Sequence, residues 1–192
     1  MTKEVGALIL AAGFSKRFGG IKLDAKLNNG STVFSQTLSR ISAAIPNYKV
    51  VTRPDLIDVL SPTEPNLNAF EFAEQGIGAS LAFGIGLVNN WHACLVCLAD
   101  MPFIEIETYR SLASQLNQDN IVIPFHQKQA GNPVGFGRHF YSDLRNLSGD
   151  AGGRPVVKEN QNAVVAFDAE DAAVLYDIDT PADLDKYQSL LE

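Results

Sequence analysis

The sequence VGALILAAG, residues 5–13, is the stretch that decides the fold. From Val5 to Ala11 every residue is apolar or glycine, and the run stops at Gly13. A short continuous apolar run bounded by glycine is typical of a strand that is buried on both faces, as in a parallel sheet. Because parallel sheets are normally covered on both faces, this stretch predicts helices on either side of it.

The rest of the chain alternates between strand and helix patterns. Further strands are predicted over residues 48–52, 69–73, 93–99, 120–124, 164–167 and 175–178, with 93–99, the most apolar, at the centre. Helices are predicted over residues 33–45, 76–90, 104–116, 138–146, 152–160 and 182–191, with Ser31 or Thr32 capping the first. Pro54 suits the first turn of a further short helix. The fold class that we predict is therefore α/β, a Rossmann-like three-layer fold with a mostly parallel sheet covered by helices on both faces.

Length and charge narrow the function classes. A chain of 192 residues is the usual size of one domain, so we expect a single domain over residues 1–192. Acidic residues number 22 against 15 basic ones, which argues against binding to the phosphate backbone of a nucleic acid. No apolar stretch approaches the roughly 20 residues of a membrane helix, so we expect no membrane partner.

The two cysteines, Cys94 and Cys97, lie within an apolar run. Positions i and i+3 of a strand face opposite sides, so this pair predicts core packing rather than a zinc or redox site. Unpaired thiols in a core are typical of a reducing compartment, and we expect a cytoplasmic protein.

Parallel sheets of this class bind ligands at the carboxyl ends of their strands, which points to the loops after Ala11, Ala99 and Ile178. The first of these loops begins a segment with the sequence LAAGFSKRFGGIK, residues 10–22. Its glycines let backbone amides approach an anion, and Arg17 and Lys22 add two positive charges. The segment thus predicts a phosphate site; the alternative is a mobile surface loop with solvated charges. It is neither a Walker A loop nor a dinucleotide-binding turn.

Segment 10–22 also resembles the signature of the MobA-like nucleotidyltransferases, enzymes that join a nucleotide to the phosphate of molybdopterin. Further segments resemble that family in the same order: 76–81, 98–102, 131–134, 147–154 and 177–184. The resemblance extends from about residue 5 to residue 190 and implies the family's fold and activity.

The reaction that the resemblance implies is an in-line attack of an acceptor phosphate on the α-phosphorus of a nucleoside triphosphate, with release of pyrophosphate. Three residues are expected to carry it: Arg17 on the β- and γ-phosphates, Lys22 near the α-phosphate, and Asp100 on a metal ion. The expected nucleotide-binding residues are Leu10, Ala11, Ala12, Gly13, Arg17, Lys22, Gly78 and Ser80. The expected acceptor-binding residues are Asn132, Pro133, Gly149 and Asp150.

The expected cofactor is Mg²⁺, which takes one or two carboxylates together with phosphate oxygens. Asp100 ends the most buried strand, in the predicted crevice, and is the first candidate ligand. Asp179 or Asp177 is the second; because neighbours alternate along a strand, we expect only one of the two, with Asp179 preferred. Helix capping is the alternative role for Asp100 and Asp179, since a proline follows each closely.

The resemblance favours CTP as the nucleotide, because Ala12 stands where relatives that use GTP have glycine. A single methyl group supports this choice, so GTP stays an alternative. Asn132 stands where relatives usually have a bulkier residue, which leaves another small phosphate as an alternative acceptor to molybdopterin. A non-catalytic nucleotide-binding module is the alternative of another class. The partners that the resemblance implies are transient contacts with molybdenum enzymes or other cofactor-synthesis proteins.

Overall fold

The computed structural model describes residues 4–61 and 64–190. Its strands are β1 (Val5–Ala11), β2 (Tyr48–Thr52), β3 (Leu67–Ala69), β4 (Ala93–Leu98), β5 (Ile121–His126), β6 (Gln129–Ala130), β7 (Val134–Gly137) and β8 (Val164–Asp168). Its α-helices are α1 (Val33–Ala44), α2 (Ile57–Leu60), α3 (Ile77–Leu87), α4 (Ile106–Gln115), α5 (Tyr141–Arg145), α6 (Arg154–Glu159) and α7 (Pro181–Leu190).

The strands form one mixed sheet in the order β3–β2–β1–β4–β7–β5, with β6 and β8 also paired to β5. The pairs β1–β2, β1–β4, β2–β3 and β5–β8 are parallel. The pairs that involve β6 or β7 are antiparallel. The predicted α/β class with a mostly parallel, helix-covered sheet is confirmed, with an antiparallel arm next to β4.

Helices cover both faces of the sheet, and each face has its own core. On one face, α1 and α4 pack against the strands through residues such as Phe34, Ile41 and Tyr109. On the other face, α3 contributes Leu81 and Ile85. Strand β4 supplies both cores alternately, as expected of a strand buried on two sides.

The two cysteines illustrate this alternation. Cys97 belongs to the first core and Cys94 to the second, and both are buried. Burial raises the pKa of the Cys94 thiol to about 12. The prediction that they pack in the core on opposite faces is confirmed.

The strand predicted over 69–73 is wrong in position. The observed strand, β3, ends at Ala69, opposite Thr52, the last residue of β2. The Phe70 amide still donates to the Thr52 carbonyl over 2.8 Å, but the register of β2 and β3 among the described residues ends at this pair. The Phe70 ring instead stacks on Phe83 of α3, with 4.9 Å between ring centroids, and residues 73–75 form a 3₁₀ turn.

The strand predicted over 175–178 is also wrong. Residues 172–175 form a 3₁₀ turn, and the chain then runs past the end of β4, where the amide of Ile178 donates to the carbonyl of Asp100 over 3.0 Å. The sequence patterns did not predict β6 and β7. Residue 191, to which the last helix was predicted to extend, lies outside the described residues.

Within residues 4–61 and 64–190, no helix combines the length and the apolar character needed to span a bilayer.

Candidate active site

The candidate residues gather at the carboxyl ends of β1 and β4. Leu10 pairs with Leu98, and the amide of Ala99 donates to the carbonyl of Leu10 over 3.1 Å. The chain continues from β1 to β2 on one side and places β4 on the other, so the strand order reverses between β1 and β4. Ligands of open α/β sheets bind at such a switch point.

Four charged side chains form a continuous chain of ion pairs at this switch point. Lys22 Nζ donates to Asp100 Oδ2 over 2.5 Å and to Asp179 Oδ1 over 3.2 Å. Arg17 Nη2 donates to Asp179 Oδ2 over 2.5 Å. The Lys22 side chain is 11 % exposed and that of Arg17 is 72 % exposed, so the chain of charges runs from the interior to the surface.

The backbone around α7 places Asp179. Asp183 Oδ2 accepts from the amides of Asp179 and Thr180 at 3.2 and 2.7 Å, and from Thr180 Oγ1 at 2.7 Å. These bonds satisfy amides at the start of α7 and lower the pKa of Asp183. The Ile178–Asp100 bond then holds this turn against the end of β4.

The electrostatics keep Lys22 charged. Burial by itself lowers the pKa of Lys22, but the attraction and hydrogen bonds of Asp100 and Asp179 outweigh it, and the pKa is raised. The pKa of Asp177 is raised by burial and then by repulsion from Asp100 and Asp179. Three carboxylates thus influence one another around a single buried lysine.

A cavity of about 370 Å³ lies over these groups. Ten of the predicted residues line it: Leu10, Ala11, Ala12, Gly13, Arg17, Lys22, Ser80, Asp100, Asp150 and Asp179. Gly78, predicted to bind nucleotide, is not part of the lining. It lies where α3 packs against Ser148, and a Cβ at Gly78 would come within 2.7 Å of the Ser148 carbonyl oxygen.

A second cavity of about 460 Å³ adjoins the first, since the two share Leu10, Ile77, Leu98 and Asp150. Of the predicted acceptor residues, Asn132 and Asp150 line it, whereas Pro133 and Gly149 do not. Lys158, which was not among the predicted site residues, lines the second cavity together with Arg154. Lys158 follows Arg154 by four residues on α6, and this spacing is a signal that could have found it.

The donor set at the switch point fits a divalent cation. The Oδ1 atom of Asp100 is buried and has no hydrogen-bond partner among the described residues. Mg²⁺ favours carboxylate oxygens and usually takes one or two of them together with substrate phosphates. In the described ranges, no group of three or more His, Cys, Asp or Glu residues could hold a metal ion. Asp100 and Asp179 therefore fit an ion that draws its other ligands from a substrate.

Arg53 is a further residue at this edge of the sheet, and it was not among the predicted site residues. It follows the end of β2, and its Nη1 donates to the carbonyl of Gly13 over 2.8 Å. Its position just beyond the carboxyl end of a strand was the only sequence signal for it.

The sheet with its switch point and the two adjoining cavities define a Rossmann-like α/β protein with a candidate ligand site at the carboxyl edge of the sheet. The chain belongs to the MobA-like NTP transferase family, whose domain model matches residues 7–164. It is therefore a member of a nucleotidyltransferase family. No curated protein matches the chain.

Solved structures share the fold along nearly the whole chain. The Rv0371c protein of Mycobacterium tuberculosis H37Rv is 23 % identical, with a TM-score of 0.83 over 98 % of this chain and 99 % of that one. A nucleotidyl transferase from Methanothermobacter thermautotroptrophicus is 21 % identical, with a TM-score of 0.83 over 97 % of each chain. Molybdopterin-guanine dinucleotide biosynthesis protein A from Archaeoglobus fulgidus is 18 % identical, with a TM-score of 0.71 over 97 % of this chain and 98 % of that one.

Proposed function

We propose that this protein transfers CMP from CTP to the phosphate of molybdopterin and releases pyrophosphate. The observation that carries the proposal is the chain of ion pairs Asp100–Lys22–Asp179–Arg17 within the first cavity. It offers cations for a triphosphate and carboxylates for a metal ion at one place, in a chain of the MobA-like NTP transferase family.

In the proposed reaction, an oxygen of the acceptor phosphate forms a bond to the α-phosphorus as the bond to the bridging oxygen of pyrophosphate breaks. Lys22 binds the α-phosphate, where negative charge develops, and its raised pKa keeps it protonated. Arg17, exposed at the cavity mouth, binds the β- and γ-phosphates. Amides of the loop at Gly13 bind the same phosphates, and the chain's main contribution is to position the reactants.

Asp100 and Asp179 would hold Mg²⁺. When bound, the ion neutralises charge on the phosphates. Its support here is the buried, unpartnered Oδ1 of Asp100. A structure of Rv0371C from Mycobacterium tuberculosis H37Rv in complex with manganese, 20 % identical with a TM-score of 0.79 over 97 % of this chain and 98 % of that one, gives further support for a divalent cation.

The second cavity is the proposed acceptor site, because it adjoins the first at Leu98 and Asp150. Molybdopterin is supported as the acceptor by the likeness to the Archaeoglobus protein, which is named for molybdopterin-guanine dinucleotide biosynthesis. Ala12 supports CTP, since it lines the first cavity and has a methyl group that the glycine of relatives using GTP lacks. The two buried thiols support a cytoplasmic location.

Pyrophosphate release by the purified protein with Mg²⁺, with and without molybdopterin, tests the proposal when CTP, GTP, ATP and UTP are compared. We expect release with CTP that requires molybdopterin. Release of pyrophosphate with GTP and not with CTP would support the same type of reaction and overturn the choice of base. Nucleotide binding without release of pyrophosphate, for every nucleotide, would favour another small phosphate as the acceptor or a non-catalytic nucleotide-binding module.

The Asp100→Asn variant tests the proposed metal ligand in the same assay. It keeps the size of the side chain and removes the charge that would hold the metal ion. We expect the circular dichroism spectrum to stay unchanged and turnover to be almost abolished. Turnover equal to that of the wild type would exclude the proposed role of Asp100.

A further inference from the structure

Arg53 joins the end of β2 to the loop that follows β1. Its Nε and Nη2 donate to the two carboxylate oxygens of Asp55 over 3.0 and 2.9 Å, a bidentate pair that leaves Nη1 for the Gly13 carbonyl at 2.8 Å. Its guanidinium also lies 4.2 Å from the centroid of the Phe14 ring. The Arg53 side chain is only 13 % exposed. Its guanidinium is therefore contacted by a carboxylate, a backbone carbonyl and an aromatic ring.

Asp55 acts as the anchor of this arrangement. It lies on the turn Pro54–Leu56 directly after Arg53, and its side chain is 65 % exposed. The hydrogen bonds from Arg53 lower the pKa of Asp55, so the carboxylate stays charged at neutral pH. A bidentate arginine–carboxylate pair fixes the plane of the guanidinium, which a single contact would not do.

The loop that Arg53 contacts, residues 13–17, contains backbone amides that are available to bind an anion. In the described part of the chain, no acceptor contacts the amides of residues 13–17, while Gly13, Phe14 and Arg17 line the first cavity. In a trans peptide the N–H points opposite to the C=O. Because the Gly13 carbonyl is bonded to Arg53, which does not line the cavity, the Phe14 amide of the same peptide points away from Arg53.

We propose that Arg53 is a positioning residue that orients the Gly13–Phe14 peptide so that its amide binds the polyphosphate of the nucleotide. This inference rests on the proposed function, because it concerns the same nucleotide site. Arg53 does not itself touch the nucleotide: it acts through the peptide bond that it holds, and Asp55 acts through Arg53. The ligand group concerned is the β- and γ-phosphate part, not the nucleoside.

The test compares the dissociation constants of CTP, CMP and inorganic pyrophosphate by calorimetry, with Mg²⁺ present, for wild type, Arg53→Gln and Arg53→Lys. We expect Arg53→Gln to weaken binding of CTP and pyrophosphate about 10-fold and to leave CMP within about 2-fold. Arg53→Lys keeps the charge but not the planar fork, so we expect it to restore only part of the loss. In turnover, the KM for CTP rises and kcat stays within about 3-fold.

Asp55→Asn separates positioning from simple charge. It removes a negative charge near the site, so an effect of charge alone would tighten CTP binding. Positioning predicts the opposite sign, a loss of about 3-fold or more, because the guanidinium is no longer clamped.

Arg40→Gln is the matched control, since Arg40 also donates to backbone carbonyls, those of Phe103 and Ile104, at 2.7 and 3.0 Å, away from this cavity. We expect it to lower thermal stability without changing the ratio of CTP to CMP affinity. Equal losses for CTP and CMP in Arg53→Gln, or tighter CTP binding in Asp55→Asn, would overturn the inference alone. A wild type that binds no nucleotide, with GTP and GMP also tried, would overturn the proposed function and the inference together.

Discussion

At the scale of single residues, Lys22 distinguishes an enzyme from a module that only binds nucleotide. Its ammonium group is buried between Asp100 and Asp179, at the place proposed for the α-phosphate. A pure binding protein needs no cation where charge develops in the transition state. We expect Lys22→Ala to lower kcat by roughly 10²–10³-fold while nucleotide binding persists, measured by pyrophosphate release and by calorimetry.

Stability provides a second readout for the same variant. Removal of Lys22 leaves Asp100, 16 % exposed, without its cation, and we expect the free energy of unfolding to fall by about 3 kcal/mol in urea titrations. Lys26→Ala, an exposed lysine near the same turn, is the control and should change neither quantity. A Lys22→Ala variant with a wild-type rate would contradict the catalytic role.

Residue types and their positions in the chain could predict the charged groups of the site. Arg17, Lys22, Asp100 and Asp179 all follow or flank apolar segments, and the rule that ligands bind at carboxyl ends brings them together. The same rule marks the position of Arg53 after β2, but it could not predict what Arg53 binds. Its partner is the carbonyl of Gly13, and no side-chain pattern marks a backbone acceptor 40 residues away.

At the scale of elements, the start of α3 depends on Gly76. Its φ of +100° is a conformation that favours glycine, and a Cβ there would lie 2.4 Å from the carbonyl oxygen of Gly149. Gly76→Ala must therefore shift the 149–151 turn, which borders both cavities through Asp150. We expect a loss of about 2–4 kcal/mol in the free energy of unfolding, measured in urea, together with weaker nucleotide binding.

Gly86 offers a control within the same helix. A Cβ at Gly86 meets no atom within 4 Å, and its φ lies outside the left-handed region. Gly86→Ala should stabilise the protein by about 0.5–1 kcal/mol, since alanine favours the helix. If both variants lost stability alike, the close contact with Gly149 would not be the cause.

The elements that the sequence failed to predict have physical reasons in their neighbours. Strand β7 contains Gly135 and Gly137, which lower strand propensity, yet a Cβ at either would come within 2.7 Å of Leu116 or of the backbone at Gln118. Close packing against these neighbours requires glycine at both positions, and strand propensity does not take such tertiary contacts into account. Strand β3, which was predicted at the wrong position, ends where β2 ends. Its length is therefore set by its partner strand and not by its own residues.

At the scale of the whole molecule, a net charge of −7 disfavours the binding of a polyanionic nucleotide. The site resolves this conflict locally, because Lys22 and Arg17 lie at the switch point among Asp100 and Asp179. The four formal charges cancel. A triphosphate repels Asp100 and Asp179 less strongly when it carries a divalent cation, because the cation offsets part of its negative charge.

This balance predicts that Mg²⁺ and nucleotide stabilise the protein synergistically. A bare triphosphate must take Lys22 and Arg17 from their carboxylates and so brings negative charge next to Asp100 and Asp179, while Mg²⁺ alone meets carboxylates that the two cations already neutralise. When both bind, the triphosphate pairs with Lys22 and Arg17, and Mg²⁺ pairs with the carboxylates of Asp100 and Asp179 that these cations leave. In thermal unfolding we expect a rise in Tm of about 5 °C or more with both at saturating levels, and of about 1 °C with either alone.

Asp100→Asn should keep most of the shift in Tm that CTP alone causes and lose the extra shift that Mg²⁺ adds. Shifts that merely sum in the wild type would mean that metal and nucleotide bind independently and that the ion pairs do not couple them.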